Sequence, residues 1–251
     1  MGNRHDKVGI QRELHLEWFE KAAAVYAAGY AKVAARQEFY SYLENATGFD
    51  SPPSLQSKTY IANVLVKTWV APEKELMSLR EEAHHLLNRN PCCRIAIHWS
   101  LLCAAYPFWF NVATCVGRLL NLQNQVTQYQ VVLRMKEIYG DRQTVSRRAR
   151  YVIRSFVTWG VLKDTEVKGC YEGVEPESIH GTNLAILMLE GALHAIPESK
   201  SALGPLLNNP AFFPFKLPVM SGNIVSLNND RIDVVRYGLD DELLILSGYH
   251  S

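Results

Sequence analysis

Residues 127–173 have the sequence TQYQVVLRMKEIYGDRQTVSRRARYVIRSFVTWGVLKDTEVKGCYEG, in which two helical patterns are followed by a turn between apolar pairs. The first helix is predicted over residues 127–140, a polar turn over residues 141–144 and the second helix over residues 145–159. Residues 161–171 place an apolar pair on each side of a polar turn, which is typical of a hairpin. This order predicts a winged helix-turn-helix, whose second helix normally enters the major groove of DNA.

Six apolar residues of the second helix recur at positions i, i+4, i+7, i+8, i+11 and i+12, which places them on one stripe. They are Val145, Ala149, Val152, Ile153, Phe156 and Val157. Thr144 stands directly before this stripe, where an N-cap residue is expected. The stripe predicts which side of the helix is buried and which side is open to a ligand.

The basic residues of the second helix lie away from the apolar stripe. Arg147, Arg150 and Arg154 form a predicted positive ridge, and Arg148 adds a fourth charge. Because the first turns of a recognition helix reach base edges, we expect Ser146, Arg147 and Arg150 to contact bases and Arg154 to contact a phosphate. The alternative is a solvated basic face on a module that binds protein or no ligand.

The charge of the chain is unevenly distributed, although its net value is only +1. Residues 118–172 contain 10 Lys and Arg against 5 Asp and Glu, whereas residues 173–251 contain 4 against 9. A basic block followed by an acidic region is typical of a DNA-contacting module joined to a region that makes no such contact. Lys168, in the predicted hairpin turn, belongs to the basic block and is a further expected DNA contact.

Residues 1–72 are predicted to form an N-terminal helical unit that resembles a second helix-turn-helix. Ser54 is a suitable N-cap for its third helix. That helix carries its apolar residues on one side, namely Ile61, Val64, Leu65 and Trp69. Gln56, Lys58 and Asn63 lie elsewhere on it and are candidate DNA contacts. We favour a three-helix unit with a purely structural role, and a second helix-turn-helix with these contacts is the alternative.

Residues 73–122 are the most apolar part of the chain and are predicted to be a central helical core. Within them, the 23 residues 95–117 carry no Asp, Glu, Lys or Arg, a length that could span a bilayer. His98, Asn111 and the central Pro107 favour two buried helices that meet at the proline. We therefore expect no membrane partner, with a membrane-attached protein as an alternative.

The chemistry of an enzyme or of a metal site is not indicated. No glycine-rich phosphate loop, nucleophile elbow or metalloprotease helix occurs in the sequence. Cys92 and Cys93 lie near His84, His85 and His98, but their spacing matches no common zinc finger. The five cysteines are best explained as reduced thiols, and residues 1–11 do not form a signal peptide. We expect a cytoplasmic protein without cofactor, metal or catalysis.

Residues 174–251 are predicted to mix helix and strand and to pack on the core, so that the whole chain is mainly α. A helix is expected over residues 182–196, and residues 232–246 have strand-like composition. Residues 205–218 are rich in proline and phenylalanine and are expected to be an ordered connection on an apolar surface. A protein–protein adaptor that uses the winged helix and this phenylalanine-rich segment is the alternative function.

The chain resembles the BrxA accessory proteins of bacterial BREX phage-defence systems. The resemblance lies in the order of its units, in residues 54–59 (SLQSKT) opening a helix, and in residues 144–148 (TVSRR) leading to residues 156–162 (FVTWGVL). It implies a small, mostly α-helical, cytoplasmic protein that binds double-stranded DNA beside larger methylase and ATPase components. The resemblance also implies that the protein has no catalytic activity of its own.

Overall fold

Helices make up most of the protein, as the computed structural model shows for residues 4–46, 49, 52–89, 93–237 and 241–248. The helices are α1 (Leu16–Ala27), α2 (Lys32–Glu44), α3 (Leu55–Leu65), α4 (Met77–Arg89), α5 (Arg94–Ala105), α6 (Pro107–Leu122), α7 (Gln128–Tyr139), α8 (Gln143–Thr158), α9 (Thr182–Ala195), α10 (Leu203–Leu207) and α11 (Gly222–Asn228). The strands are β1 (Gln125–Thr127), β2 (Leu162–Asp164), β3 (Cys170–Gly173), β4 (Glu177–Ser178), β5 (Lys200–Ala202), β6 (Phe215–Lys216), β7 (Ile232–Tyr237) and β8 (Asp241–Leu246). The prediction of a mainly α fold is confirmed.

The region around α7 and α8 folds in the predicted order of helix, turn, helix and hairpin. Strands β2 and β3 form the antiparallel hairpin, and β1, which directly precedes α7, pairs with β3. The resulting sheet has the strand order β1-β3-β2. Because β1 and β3 flank the two helices in sequence, their pairing closes residues 125–173 into one unit.

Local signals explain the ends of these two helices. Thr127 caps α7, since its hydroxyl accepts from the Gln130 backbone N–H while the Gln130 side chain accepts from the Thr127 N–H. At the end of α8, Gly160 adopts a φ of 72°, and Val161 donates its N–H to the Phe156 carbonyl. This Schellman ending requires a left-handed residue, which glycine adopts at little cost.

The predicted N-cap of the second helix is wrong. Helix α8 begins at Gln143, and the residue at the N-cap position is Arg142, which has an extended backbone and no side-chain capping bond. The Arg142 N–H donates to the Gly140 carbonyl and its guanidinium to the Tyr139 carbonyl. The connection between the helices is therefore shorter than residues 141–144, and Thr144 lies inside the first turn of α8.

The core is one connected cluster to which all four predicted regions contribute. Helix α5 lies at its centre and packs most extensively against α9. The two helices approach so closely at Gly191 that an added Cβ would lie 2.6 Å from the Ser100 carbonyl oxygen. The core is therefore built by the predicted residues 73–122 together with α9 from the C-terminal region.

The 23 uncharged residues form two buried helices, as predicted. Helices α5 and α6 meet at Tyr106 and Pro107 and are bent by 117° relative to each other. Among the described residues, no single helix is long and apolar enough to cross a bilayer. Helices α5 and α6 reach the length and composition of a membrane span only when the bent pair is taken together.

The phenylalanine-rich connection is ordered and buried. Phe212 and Phe215 are almost fully covered, and the Phe213 ring lies 5.8 Å from the ring of Trp99. These rings therefore belong to the core. A partner-binding role for this segment, the basis of the adaptor alternative, is not supported because its phenylalanines are already packed.

In the N-terminal unit, Ser54 caps α3 as predicted and accepts from the Ser57 N–H. Residues 11–15, directly before α1, form a strap that lies against α8, a feature without a signal in the sequence. Leu14 donates its N–H to Ser155 Oγ at 2.8 Å, and its carbonyl accepts from Trp159 Nε1 at 2.9 Å. The strap brings the N-terminal unit against the second helix of the α7–α8 pair.

Two histidines are buried in the core, where burial disfavours their charged form. Burial, together with a smaller contribution from the charge of Arg94, lowers the pKa of His98 to about 3; Trp69 Nε1 donates to His98 Nδ1 at 3.2 Å. Burial also lowers the pKa of His194 to about 3, with Arg4 and Arg231 adding repulsion. Both rings are therefore neutral in the folded protein at pH 6.

We predict that Val152→Ala destabilises the protein by about 1–3 kcal/mol, since Val152 is fully buried on the apolar stripe of α8. Arg150→Ala is the matched control on the exposed face and should change stability by less than about 0.5 kcal/mol. Urea unfolding followed by circular dichroism measures both. Equal effects of the two changes would mean that α8 is rotated from the orientation described.

Stability should fall on mild acidification. The two histidines, His98 and His194, have a pKa of about 6.5 in the unfolded chain, so they take up protons there as the pH falls through this value. In the folded protein both rings stay neutral down to about pH 3. The free energy of unfolding should therefore drop by roughly 1 kcal/mol per histidine between pH 6.5 and 5.5. In urea titrations, His98→Gln should flatten this dependence, whereas His180→Gln, at an exposed position, should leave it unchanged.

Candidate nucleic-acid interface

Helix α8 turns its polar side to solvent over its first two turns. Thr144, Arg147 and Arg150 are exposed there, and Ser146 and Arg148 are half-buried. The apolar stripe faces the core as predicted; Val157, its last member, is only half-buried. The structure thus brings five of the predicted site residues to one end of one helix.

A cleft joins this end of α8 to the start of α3. The cavity has a volume of about 160 Å³ and is lined by Gln11, Arg12, Gln56, Tyr60, Thr144, Arg147, Arg148 and Tyr151. Residues predicted separately on two helical units, 85 or more positions apart along the chain, therefore border the same space. The strap supplies the remaining wall.

Arg12 is the member of this cleft that sequence reasoning missed. Its Nε donates to Ser57 Oγ at 3.1 Å, and its guanidinium lies 5.4 Å from the Tyr60 ring and 5.9 Å from the Tyr151 ring. Cation–π contacts of this kind favour a fixed guanidinium. Arg12 belongs to no periodic pattern, so only the tertiary contact between strap, α3 and α8 reveals it.

The electrostatic character of the cleft is strongly positive. Three arginines line it, and no carboxylate does so among the residues that the structure describes. Burial lowers the pKa of Arg148, and the nearby charges of Arg142 and Arg147 lower it further, although Tyr60 opposes them. The direction of this pKa shift reflects the burial of Arg148 first and the neighbouring cations second.

Arg154 lies one turn too far along α8 to join this cluster. Its Nη1 contacts both carboxylate oxygens of Asp164, at 2.6 and 2.8 Å. The hydrogen bond that Arg154 donates to Asp164 raises the pKa of Arg154, and this charge-assisted pair ties α8 to the hairpin. The predicted ridge of three arginines therefore ends at Arg150, because the third charge is already paired.

Residues of α3 and the hairpin divide into accessible and engaged groups. Gln56 is exposed and donates to the Tyr60 hydroxyl at 2.9 Å, and Asn63 is exposed on the same helical face. Lys58 is paired with Glu44 at 2.8 Å and has only 13% of its side chain exposed. Lys168 is exposed in the turn of the hairpin. Of these four predicted contacts, Lys58 is the one directed away from a ligand.

Within the described part of the chain, no three His, Cys, Asp or Glu side chains cluster as metal ligands would. Cys92, half of the cysteine pair considered in the sequence, lies outside the described residues. Cys93 is half-buried, and burial raises the pKa of the Cys103 thiol well above its usual value. A buried, protonated thiol is a poor nucleophile and metal ligand.

Comparison of the chain with protein-family models, with curated proteins and with solved structures returned no significant match.

Proposed function

We propose that this protein binds double-stranded DNA through a winged helix-turn-helix formed by β1, α7, α8 and the β2–β3 hairpin. The observation that carries the proposal is the state of the arginines on α8. Arg147 and Arg150 are exposed in its first two turns and make no ion pair with any described residue. Arg154, in contrast, is paired with Asp164.

Unpaired arginines at the start of a second helix suit a duplex for two reasons. The planar guanidinium can donate two hydrogen bonds to the O6 and N7 atoms of guanine or to a phosphate. The N-terminal residues of a recognition helix are the ones that contact base edges in the major groove. In this arrangement Ser146, Arg147 and Arg150 would read bases, and Thr144 and Arg148 would contact the backbone.

The hairpin and α3 extend this surface on both sides of α8. Lys168 is exposed at the turn of the hairpin and would contact a phosphate of the adjoining backbone, as the wing does in winged-helix proteins. Gln56 lines the cleft, and Asn63 is exposed two turns further along the same side of α3. These positions favour one continuous interface over two separate helix-turn-helix sites.

The resemblance to the BrxA proteins supports a wider role for such binding. We propose that the protein acts in the bacterial cytoplasm as a non-catalytic accessory part of a BREX-like phage-defence or regulatory assembly. Other proteins of the assembly would then be its partners, and the DNA contact would place them on a duplex.

An adaptor function is a second candidate because α7 exposes apolar side chains. Tyr129 and Leu133, one turn apart, are exposed on this helix, and on another side of it the exposed Ile138 lines a groove together with Leu122 of α6, which is 83% exposed. Exposed apolar patches commonly mark protein contacts. Binding of a protein through α7 and of DNA through α8 would use different faces.

Arg147→Ala and Arg150→Ala should each weaken duplex binding, by about 1–3 kcal/mol where the arginine makes a bidentate contact to guanine. Neither change should lower stability by more than about 0.5 kcal/mol, because both side chains are exposed. Fluorescence anisotropy with a labelled duplex at several salt concentrations measures the affinity. For the parent protein, affinity should fall as salt rises, by about tenfold per tenfold in salt for each phosphate neutralised.

Arg89→Ala is the control, since this exposed arginine at the end of α4 lines neither α8 nor the cleft. It should bind duplex DNA as the parent does. Micromolar parent protein that binds no duplex at low salt would rule out the DNA proposal and leave the adaptor.

Asp164→Asn should strengthen duplex binding. The change removes the carboxylate that pairs with Arg154, so the freed guanidinium can contact a phosphate and steepen the salt dependence by about one unit. The pair is partly exposed, so stability should change by less than about 1 kcal/mol. Glu198→Gln removes an equal charge at an exposed position and should have a smaller effect. Equal gains from both variants would assign the effect to net charge alone.

A further inference from the structure

We propose that the cleft between α3 and α8 holds one phosphate group of the DNA backbone, so that both helical units grip the same duplex. The proposal rests on the proposed function, since the bound duplex is the source of the phosphate. It adds a specific contact to the backbone, made by Arg12 of the strap together with Arg148.

The charges that line the cleft favour an anion. Arg12, Arg147 and Arg148 border one small cavity, and no described carboxylate lies on its walls. Like charges held close together disfavour one another, and an entering anion removes this repulsion. Guanidinium groups match the geometry of phosphate oxygens and bind them through paired hydrogen bonds.

The neutral groups of the cleft are also hydrogen-bond donors. The Tyr60 oxygen accepts from Gln56, which leaves its own O–H free to donate. Thr144 brings a hydroxyl from the first turn of α8, where the helix dipole favours negative charge. A phosphate in this position would therefore meet donors from α3, α8 and the strap at once.

The size of the cleft limits the ligand to a single small group. Its volume of about 160 Å³ is below the roughly 300–1,000 Å³ of pockets that enclose a drug-sized ligand. A nucleotide with its base would not be enclosed, whereas one phosphate of a longer backbone can enter while the rest of the duplex stays outside.

Arg12 is held in place before any ligand binds. Its Nε donates to Ser57 and its Nη1 to the Gln11 carbonyl at 2.9 Å. The strap on which it lies is anchored to α8 through both backbone groups of Leu14. A donor that is already ordered loses less conformational entropy when it binds.

The test compares Arg12→Gln with the parent protein and with Arg89→Gln in anisotropy titrations of a labelled duplex across a range of salt concentrations. Arg12→Gln should lower affinity about tenfold at 0.1 M salt and reduce the slope of log K against log salt by about one. Arg89→Gln should match the parent. Arg148→Gln serves as the second variant if Arg12→Gln melts early, and it should show the same reduction in slope.

A second arm distinguishes the source of the phosphate. NMR signals of the arginine Nε–H groups are followed while inorganic phosphate or the duplex is added to the full chain at constant ionic strength. We expect the duplex to shift the Arg12 signal at micromolar concentrations and inorganic phosphate to shift it only at millimolar concentrations.

Three results would overturn the proposal. Parent-like affinity and slope for both Arg12→Gln and Arg148→Gln would remove the cleft from the interface, although DNA binding through α8 would stand. Tight binding of inorganic phosphate that persists beside bound duplex would make the cleft a site for a free anion. Failure of the parent protein to bind any duplex would remove the proposed function and, with it, the backbone as the source.

Discussion

The packing of Phe156 against two tryptophans fixes the orientation of α8 on the core. The Phe156 ring lies 4.9 Å from the ring of Trp99 on α5 and 4.8 Å from that of Trp109 on α6. Aromatic pairs at such distances add to the free energy of burial. Because this contact sets the rotation of α8, Arg147 and Arg150 necessarily lie on the side that faces solvent.

The same contact connects the α7–α8 unit to the remainder of the chain. Trp159, one turn after Phe156, donates to the Leu14 carbonyl, so the strap follows α8. Arg12 on the strap then reaches α3 through Ser57. The cleft is thus a consequence of tertiary packing. The buried contacts of Leu14 hold the strap on α8, and the bond from Arg12 to Ser57 joins the strap to α3.

Ion pairs with carboxylates decide which basic side chains are available to bind a ligand. The chain places many basic residues between positions 118 and 172, but Arg154 is engaged by Asp164 and Arg134 by Glu137. Exposed pairs of this kind contribute little to stability. Among the described residues, Arg147 and Arg150 on α8 and Lys168 in the hairpin turn are cations that keep an exposed side chain without a carboxylate partner.

The sequence by itself determined the local elements and their buried faces. The helical period placed Val152 and Phe156 inside, and the glycine at position 160 ended the helix, because these signals act within a few residues. Only the tertiary structure decided which charges remain free. Whether Asp164 reaches Arg154, or Arg12 reaches α3, depends on contacts between distant segments that no periodicity records. The start of α8 at Gln143 likewise depended on Arg142 bonding back to α7.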